Sequence, residues 1–245
     1  MNQEDFAPSA SLAAALARSP DDGRPLHELV VPRCQIIDDL GDVPSTATYL
    51  ATRGTAKEIS RVGQLSRLEA LWANPASLAL FEACARAPSL RAIYVCHFKR
   101  LADVPLDGAP ALEHLMLSWA PRLVDLSFLR NLPALRTIYL EDMTRVDLST
   151  LPDLPNVTGL QLGGGMWSTL KVDSLEPLTR LPRLRHLRLS NIRPTDGVLR
   201  PRQMMTGRPN SLLCPTCDAS RYRRRIARWE VARAAGWPTS GRNAN

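Results

Sequence analysis

The chain has 245 residues, enough for a sizeable apolar core, and 44% of them are hydrophobic, which excludes a disordered polymer. It contains no run of about 18 apolar residues, so no membrane-spanning helix is expected. The net charge of +7 averages two unlike parts. From Arg180 onward stand 15 of the 31 basic residues but 3 of the 24 acids, a local +12 against −5 upstream, so any attraction to an acidic partner belongs to the C-terminal part alone.

The N-terminus, MNQEDFAPSASLAAALARSP, carries Glu4 and Asp5 and lacks a basic stretch ahead of a long apolar core, unlike an export signal. With five cysteines, an odd number, this predicts reduced thiols and a cytoplasmic location. Residues 1–42 are expected to hold a flexible start and an N-terminal cap. The next stretch, ATYLATRGTAKEISRVGQLSR, reads as a degenerate first repeat, with a strand near Tyr49 to Thr52 and Ile59, Val62 and Leu65 on the return.

Six segments then share one formula: apolar, two variable, apolar, one variable, apolar. They begin at Leu68 (LEALWAN), Leu90 (LRAIYVC), Leu112 (LEHLMLS), Leu135 (LRTIYLE), Val157 (VTGLQLG) and Leu184 (LRHLRLS), at intervals of 22, 22, 23, 22 and 27 residues. The second halves agree too, in KRLADVPL, PRLVDLSFL and TRVDLSTL, followed by APAL, LPAL, LPNV and LPRL. Alternation within each first half predicts a strand. No single repeat buries its apolar face alone, so the repeats must stack.

These motifs, over roughly residues 59–192, resemble the leucine-rich-repeat family, with a repeat length and an LxxLPxL approach most like internalin-type and plant-receptor-type repeats. The resemblance implies an α/β-type repeat solenoid over residues 43–193, a horseshoe with short parallel strands on its concave face. One departure stands out. The family places Asn or Cys just after the strand, to satisfy backbone groups in the turn; here that region holds Asn74, Cys96 or Phe98, Ala120, Met143, Gly165 and Asn191 or Ile192.

With the strands in register, successive outward positions read Trp72, Tyr94, Met116, Tyr139, Gln161 and Arg188. Parallel strands lie about 4.8 Å apart, so the first four form a contiguous stripe. His114 and Glu141 flank it, and His97 and Trp119 stand at the strand ends. Tyr, Trp and Met are enriched at protein interfaces. The stripe is therefore read as a partner-binding surface of Trp72, Tyr94, Met116, Tyr139, Gln161, Arg188, His114, Glu141 and Trp119. The competing readings are coverage by an N-terminal arm and an incidental apolar surface. The longer fifth repeat contains LGGGMWSTLKV, Leu162 to Val172, read as an insertion loop with Met166 and Trp167 at its tip.

Residues 194–245 are expected to form a connector, a CPTC segment and a helix. Cys214 and Cys217 have the spacing of half a zinc site, but no second pair completes it, so structural cysteines are the competing reading and no cofactor is required. The helix, from an Asp218 cap to Gly236, sets Tyr222, Ile226 and Trp229 on one face and Arg221, Arg224, Arg225 and Arg228 on another. Its apolar face would cap the last repeat. The arginine stripe offers an alternative function as a nucleic-acid-associated adaptor. No hydrolase, metalloprotease, phosphate-loop or dinucleotide motif is present. His114 near Cys96 is the one pair resembling a base and a nucleophile. The reading is a non-enzymatic module that binds a protein and takes no small-molecule substrate.

Overall fold

The computed structural model describes residues 6–29, 35–98, 104–165 and 168–197. Its strands are β1 (Ile37–Asp39), β2 (Tyr49–Lys57), β3 (Ala70–Ala73), β4 (Ala92–Cys96), β5 (His114–Ser118), β6 (Thr137–Glu141), β7 (Gly159–Gly163), β8 (Leu170–Val172), β9 (His186–Ser190) and β10 (Ile192–Pro194). All but β8 and β10 form one parallel sheet in the order β1-β2-β3-β4-β5-β6-β7-β9. Each repeat supplies one strand and returns behind the sheet. This geometry is that of a leucine-rich-repeat-like solenoid.

The register follows the repeat. Leu71, Ile93, Leu115, Ile138, Leu160 and Leu187 pair in sequence, as do Ala73, Val95, Leu117, Leu140 and Leu162, and both columns face the core. The return segments close the other wall. Leu126, Leu129 and Leu132, and likewise Leu175, Leu178 and Leu181, are spaced by three and buried on 3₁₀ turns at Ser127–Asn131 and Glu176–Arg180. Three residues per turn puts such leucines on one side. The second repeat instead uses an α-helix, α2 (Leu78–Ala85), whose N-terminus is capped by the Ser77 hydroxyl accepting from the Leu80 amide at 3.2 Å.

The turn after each strand has its own regularity. His97, Trp119, Asp142 and Asn191 all have positive φ, between 48° and 59°. The His97 and Trp119 amides donate to the Ser118 and Glu141 carbonyls of the next strand, at 3.1 and 3.2 Å. The following residues, Phe98, Ala120 and Met143, turn inward and are buried. Apolar packing fills those three turns, whereas at the last one the Asn191 amide donates to the Gly165 carbonyl at 2.9 Å.

The first repeat is longer than expected: β2 runs to Lys57, and its second half pairs with β1 across a register shift. The extra length of the fifth repeat is also partly ordered into strand. Its Leu170–Val172 forms β8, which pairs in parallel with β10; Met166 and Trp167 lie outside the described residues. So do Cys214, Cys217 and the helix bearing Arg221, Arg224, Arg225 and Arg228.

Candidate functional site: the concave face and its rim

The outward column forms in the expected register. Ala51, Trp72, Tyr94, Met116, Tyr139, Gln161 and Arg188 are successive partners across the sheet. Trp72 and Tyr94 stack with ring centroids 6.3 Å apart. The expectation of an exposed stripe is nevertheless corrected. Trp72, Tyr94, Met116 and Tyr139 are 6%, 9%, 1% and 6% exposed, and Gln161 and His114 are buried beside them. The cover is the chain's own N-terminal arm, the competing reading of the sequence.

The arm begins with α1 (Ala10–Leu16), which the Ser9 hydroxyl caps by accepting from the Leu12 amide at 3.1 Å. Leu12, Ala15 and Leu16 recur at helical spacing and are buried. After a turn at Ser19 to Pro25 the chain returns through a 3₁₀ turn, His27–Leu29, burying Leu26 and Leu29. These five apolar residues form one cluster with Trp72, Tyr94, Met116 and Tyr139. The His27 ring meets Tyr139 edge-on at 6.1 Å.

Polar contacts hold the margin of the arm. Arg91 donates to the Leu16 carbonyl at 2.9 Å, and Thr158 to the Pro20 carbonyl at 3.4 Å. Arg183 and Arg185 meet the Asp21 carboxylate at 3.0 and 3.4 Å. At the turn, backbone lies against backbone. A Cβ on Gly159 of β7 would stand 1.9 Å from the Gly23 carbonyl oxygen. Only glycine at both places allows that approach.

One group under the arm lacks a partner. Neither amide atom of Gln161 has a hydrogen bond, although the residue is 1% exposed. The amide does favour ionisation of the nearby Tyr139 phenol; that influence does not amount to a bond of good geometry, so Gln161 bears an unreturned desolvation cost. Burial, then the Glu141 charge, pushes the Tyr139 pKa upward, and its hydroxyl donates to Glu141 at 2.7 Å. Burial raises the Glu141 pKa as well.

The rim at the C-terminal strand ends is different. Trp119 is 44% exposed, and its ring lies 4.7 Å from that of His97. Glu141 and Arg188 are half-buried. Ser118 donates to the Asp142 carboxylate at 3.3 Å. The other large exposed apolar residue among those described, Leu78, opens α2 just beyond the turn after β3.

His114 and Cys96 are not brought together as base and nucleophile. His114 Nδ1 bonds the Thr137 hydroxyl at 2.8 Å. The sulfur of Cys96 lies 3.0 Å from His97 Nδ1, and Asn74 Oδ1 lies 2.9 Å from the same nitrogen. Sequence spacing hid this cluster because Asn74 comes from the preceding repeat. A working triad orients the base through its second nitrogen, whereas here thiol and amide share one. Burial also raises the Cys96 pKa, and pushes that of Cys84 up to about 12, so neither thiol is activated. Among the described residues no three His, Cys, Asp or Glu side chains converge to hold a metal, and no helix is long and apolar enough to cross a membrane.

No known protein family matches the chain by its sequence profile, and no curated protein matches it. Among solved structures, the chain is similar to internalin C2 from Listeria monocytogenes, with 16% identity over 78% of each chain and a TM-score of 0.38. The superposition is too loose to carry function across.

Proposed function

We propose that the protein is a non-catalytic interaction module that binds a partner protein on the concave side of the solenoid. The observation that carries this reading is that the concave face already holds a polypeptide. Residues 9–29 lie along it with leucines set against Trp72, Tyr94, Met116 and Tyr139 and an aspartate against Arg183 and Arg185. A surface that receives a segment of its own chain through an aromatic stripe and a charged margin has the chemistry to receive another. While the arm is docked, the accessible part of that side is the rim of Trp119, His97, Glu141 and Asp142. A partner meets the rim first and gains the stripe as the arm gives way. The shared-nitrogen geometry at His97 and the raised Cys96 pKa make that pair unsuited to act as base and nucleophile. The competing nucleic-acid reading rests wholly on residues outside those described.

The test is capture from a native extract treated with nuclease, with cross-linking. Wild type is compared with Trp119→Ala, with Leu26→Asp/Leu29→Asp to loosen the arm, and with that variant carrying Tyr94→Ala/Tyr139→Ala. The expected result is one protein species lost with Trp119→Ala, enriched when the arm is loosened, and lost again when the tyrosines are removed. Equal capture by all four rejects the concave side as the site.

A further inference from the structure

The seam between the arm and the concave face contains three of the chain's four histidines: His27 on the arm, His114 on β5 and His186 on β9. His114 is 7% exposed. It bonds Thr137, its Nε2 lies 3.9 Å from the Glu113 carboxylate, and Arg91, Arg136 and the arm's Arg18 face it. His27 packs on Tyr139 and faces Arg188, Glu28 and Arg18. His186 lies under Gly23, where an added Cβ would come within 2.7 Å of its ring, and faces Asp22, Arg24 and Arg185.

The carboxylates facing His114 and His186 are already engaged, and Glu28, which faces His27, keeps its Oε2 without a hydrogen bond. Glu113 is bonded by Arg91 at 2.9 Å and Arg136 at 3.2 Å, Glu28 by Arg18 at 3.0 Å, and Asp22 by Arg24 at 2.9 Å. A proton on His114, the buried ring of the three, therefore adds positive charge to a dry place with no free counter-charge, and one on half-buried His186 adds it beside Arg24 and Arg185, whereas His27 is exposed.

We propose that the arm is a proton-sensitive cover, docked on the concave face at neutral pH and released in mild acid. The proposal rests on reading that face as a polypeptide-binding surface, and names what would open it. Burial is the leading cause that lowers all three histidine pKa values, that of His114 to about 4. The docked state thus binds fewer protons than the released one. Its stability is fully present above about pH 6.5, the ordinary histidine value, and falls as pH drops below it. The loss levels off near pH 4, where His114 also protonates in place. Between pH 7 and pH 5, His114 shifts the balance towards release by at most roughly 20-fold, the figure for full return to the ordinary histidine value on release. Although burial raises their pKa, arginine partners leave Glu113 and Asp22 with a net lowering, led by Arg91 and Arg24. Those ion pairs persist through the window, so the histidines drive release, while Glu141, whose pKa burial raises, acts in the opposite sense.

The experiment is hydrogen–deuterium exchange of the full chain at pH 7 and pH 5, corrected for intrinsic exchange. Peptides from residues 9–29 are expected to lose protection about tenfold or more, while those over β5 and β6 keep theirs. His114→Asn/His186→Asn should flatten the response, with strand protection at pH 7 reporting that the variant is folded. Should it not fold, His27→Gln serves as the second variant, alongside an NMR titration of the wild-type imidazoles, expected below their ordinary value. Unchanged arm protection at pH 5, simultaneous loss over arm and strands, or an undiminished response without the histidines overturns the proposal. No partner enters the measurement, so its failure and the failure of capture are separately visible.

Discussion

On the inner side of the sheet, Leu115, Ile138 and Leu160 are covered by turns of the same and neighbouring repeats. On the outer side, Met116, Tyr139 and Gln161 are covered by a segment from a distant part of the chain, its bond from Arg91 spanning 75 residues and that from Arg183 spanning 162. Both sides end up buried, but by different economies of chain. The inner cover is local and repeated, so each repeat stabilises the next. The outer cover is a single loan of about two dozen residues, closed across long loops that cost entropy before their contacts form. It also lies over an unsatisfied amide and a buried histidine, His114, with His186 half-buried at its edge, which the inner core does not hold. The inner side is built to stay closed, and the outer side is built at a cost that conditions can change.

The largest expected effect is on the inner side. Leu115→Ala removes a fully buried side chain and should cost about 2–5 kcal/mol of global stability, read as a lower denaturant midpoint with strands and arm lost together. Leu29→Ala is buried as completely, yet its cost of about 2–4 kcal/mol should fall on docking. Trypsin should then cut faster at Arg18 while the melting temperature shifts little. If the melting temperature falls as far as for Leu115→Ala, the arm is an integral layer and the comparison breaks. Gly159→Ala pushes a methyl into the Gly23 backbone, for about 1–3 kcal/mol; exchange should rise around residues 19–25 before it rises elsewhere. Asp21→Asn should have the smallest effect. The pair with Arg183 and Arg185 is about half exposed, so under about 1 kcal/mol is expected, and added salt should erase the difference in proteolysis from wild type.

Much of this was legible in the chain. The six apolar formulas set the strand phase, and hence the order Trp72, Tyr94, Met116, Tyr139, Gln161, Arg188, because parallel strands one repeat apart have only one register that keeps both inner columns buried. The arm left a faint signal: Ser9 as a cap, then Leu12, Ala15 and Leu16 on one helical face. A helix of seven residues is too short to hold its shape unaided, and its leucines name no target. The Asn74–His97–Cys96 cluster was hidden for a related reason, since it joins two repeats through left-handed turns that bulky residues rarely adopt.

The sequence by itself determined the stacked repeat, the inner core and the chemical character of the concave column, because these depend on periodicity that each repeat states again. Tertiary structure alone decided that the column is covered, that the cover is residues 9–29, and that His114 is buried near it with His186 beneath Gly23. Those facts depend on where one non-repeating segment comes to rest. Its position is set by the fit of five apolar side chains and two glycines against a surface that exists only after the repeats have stacked.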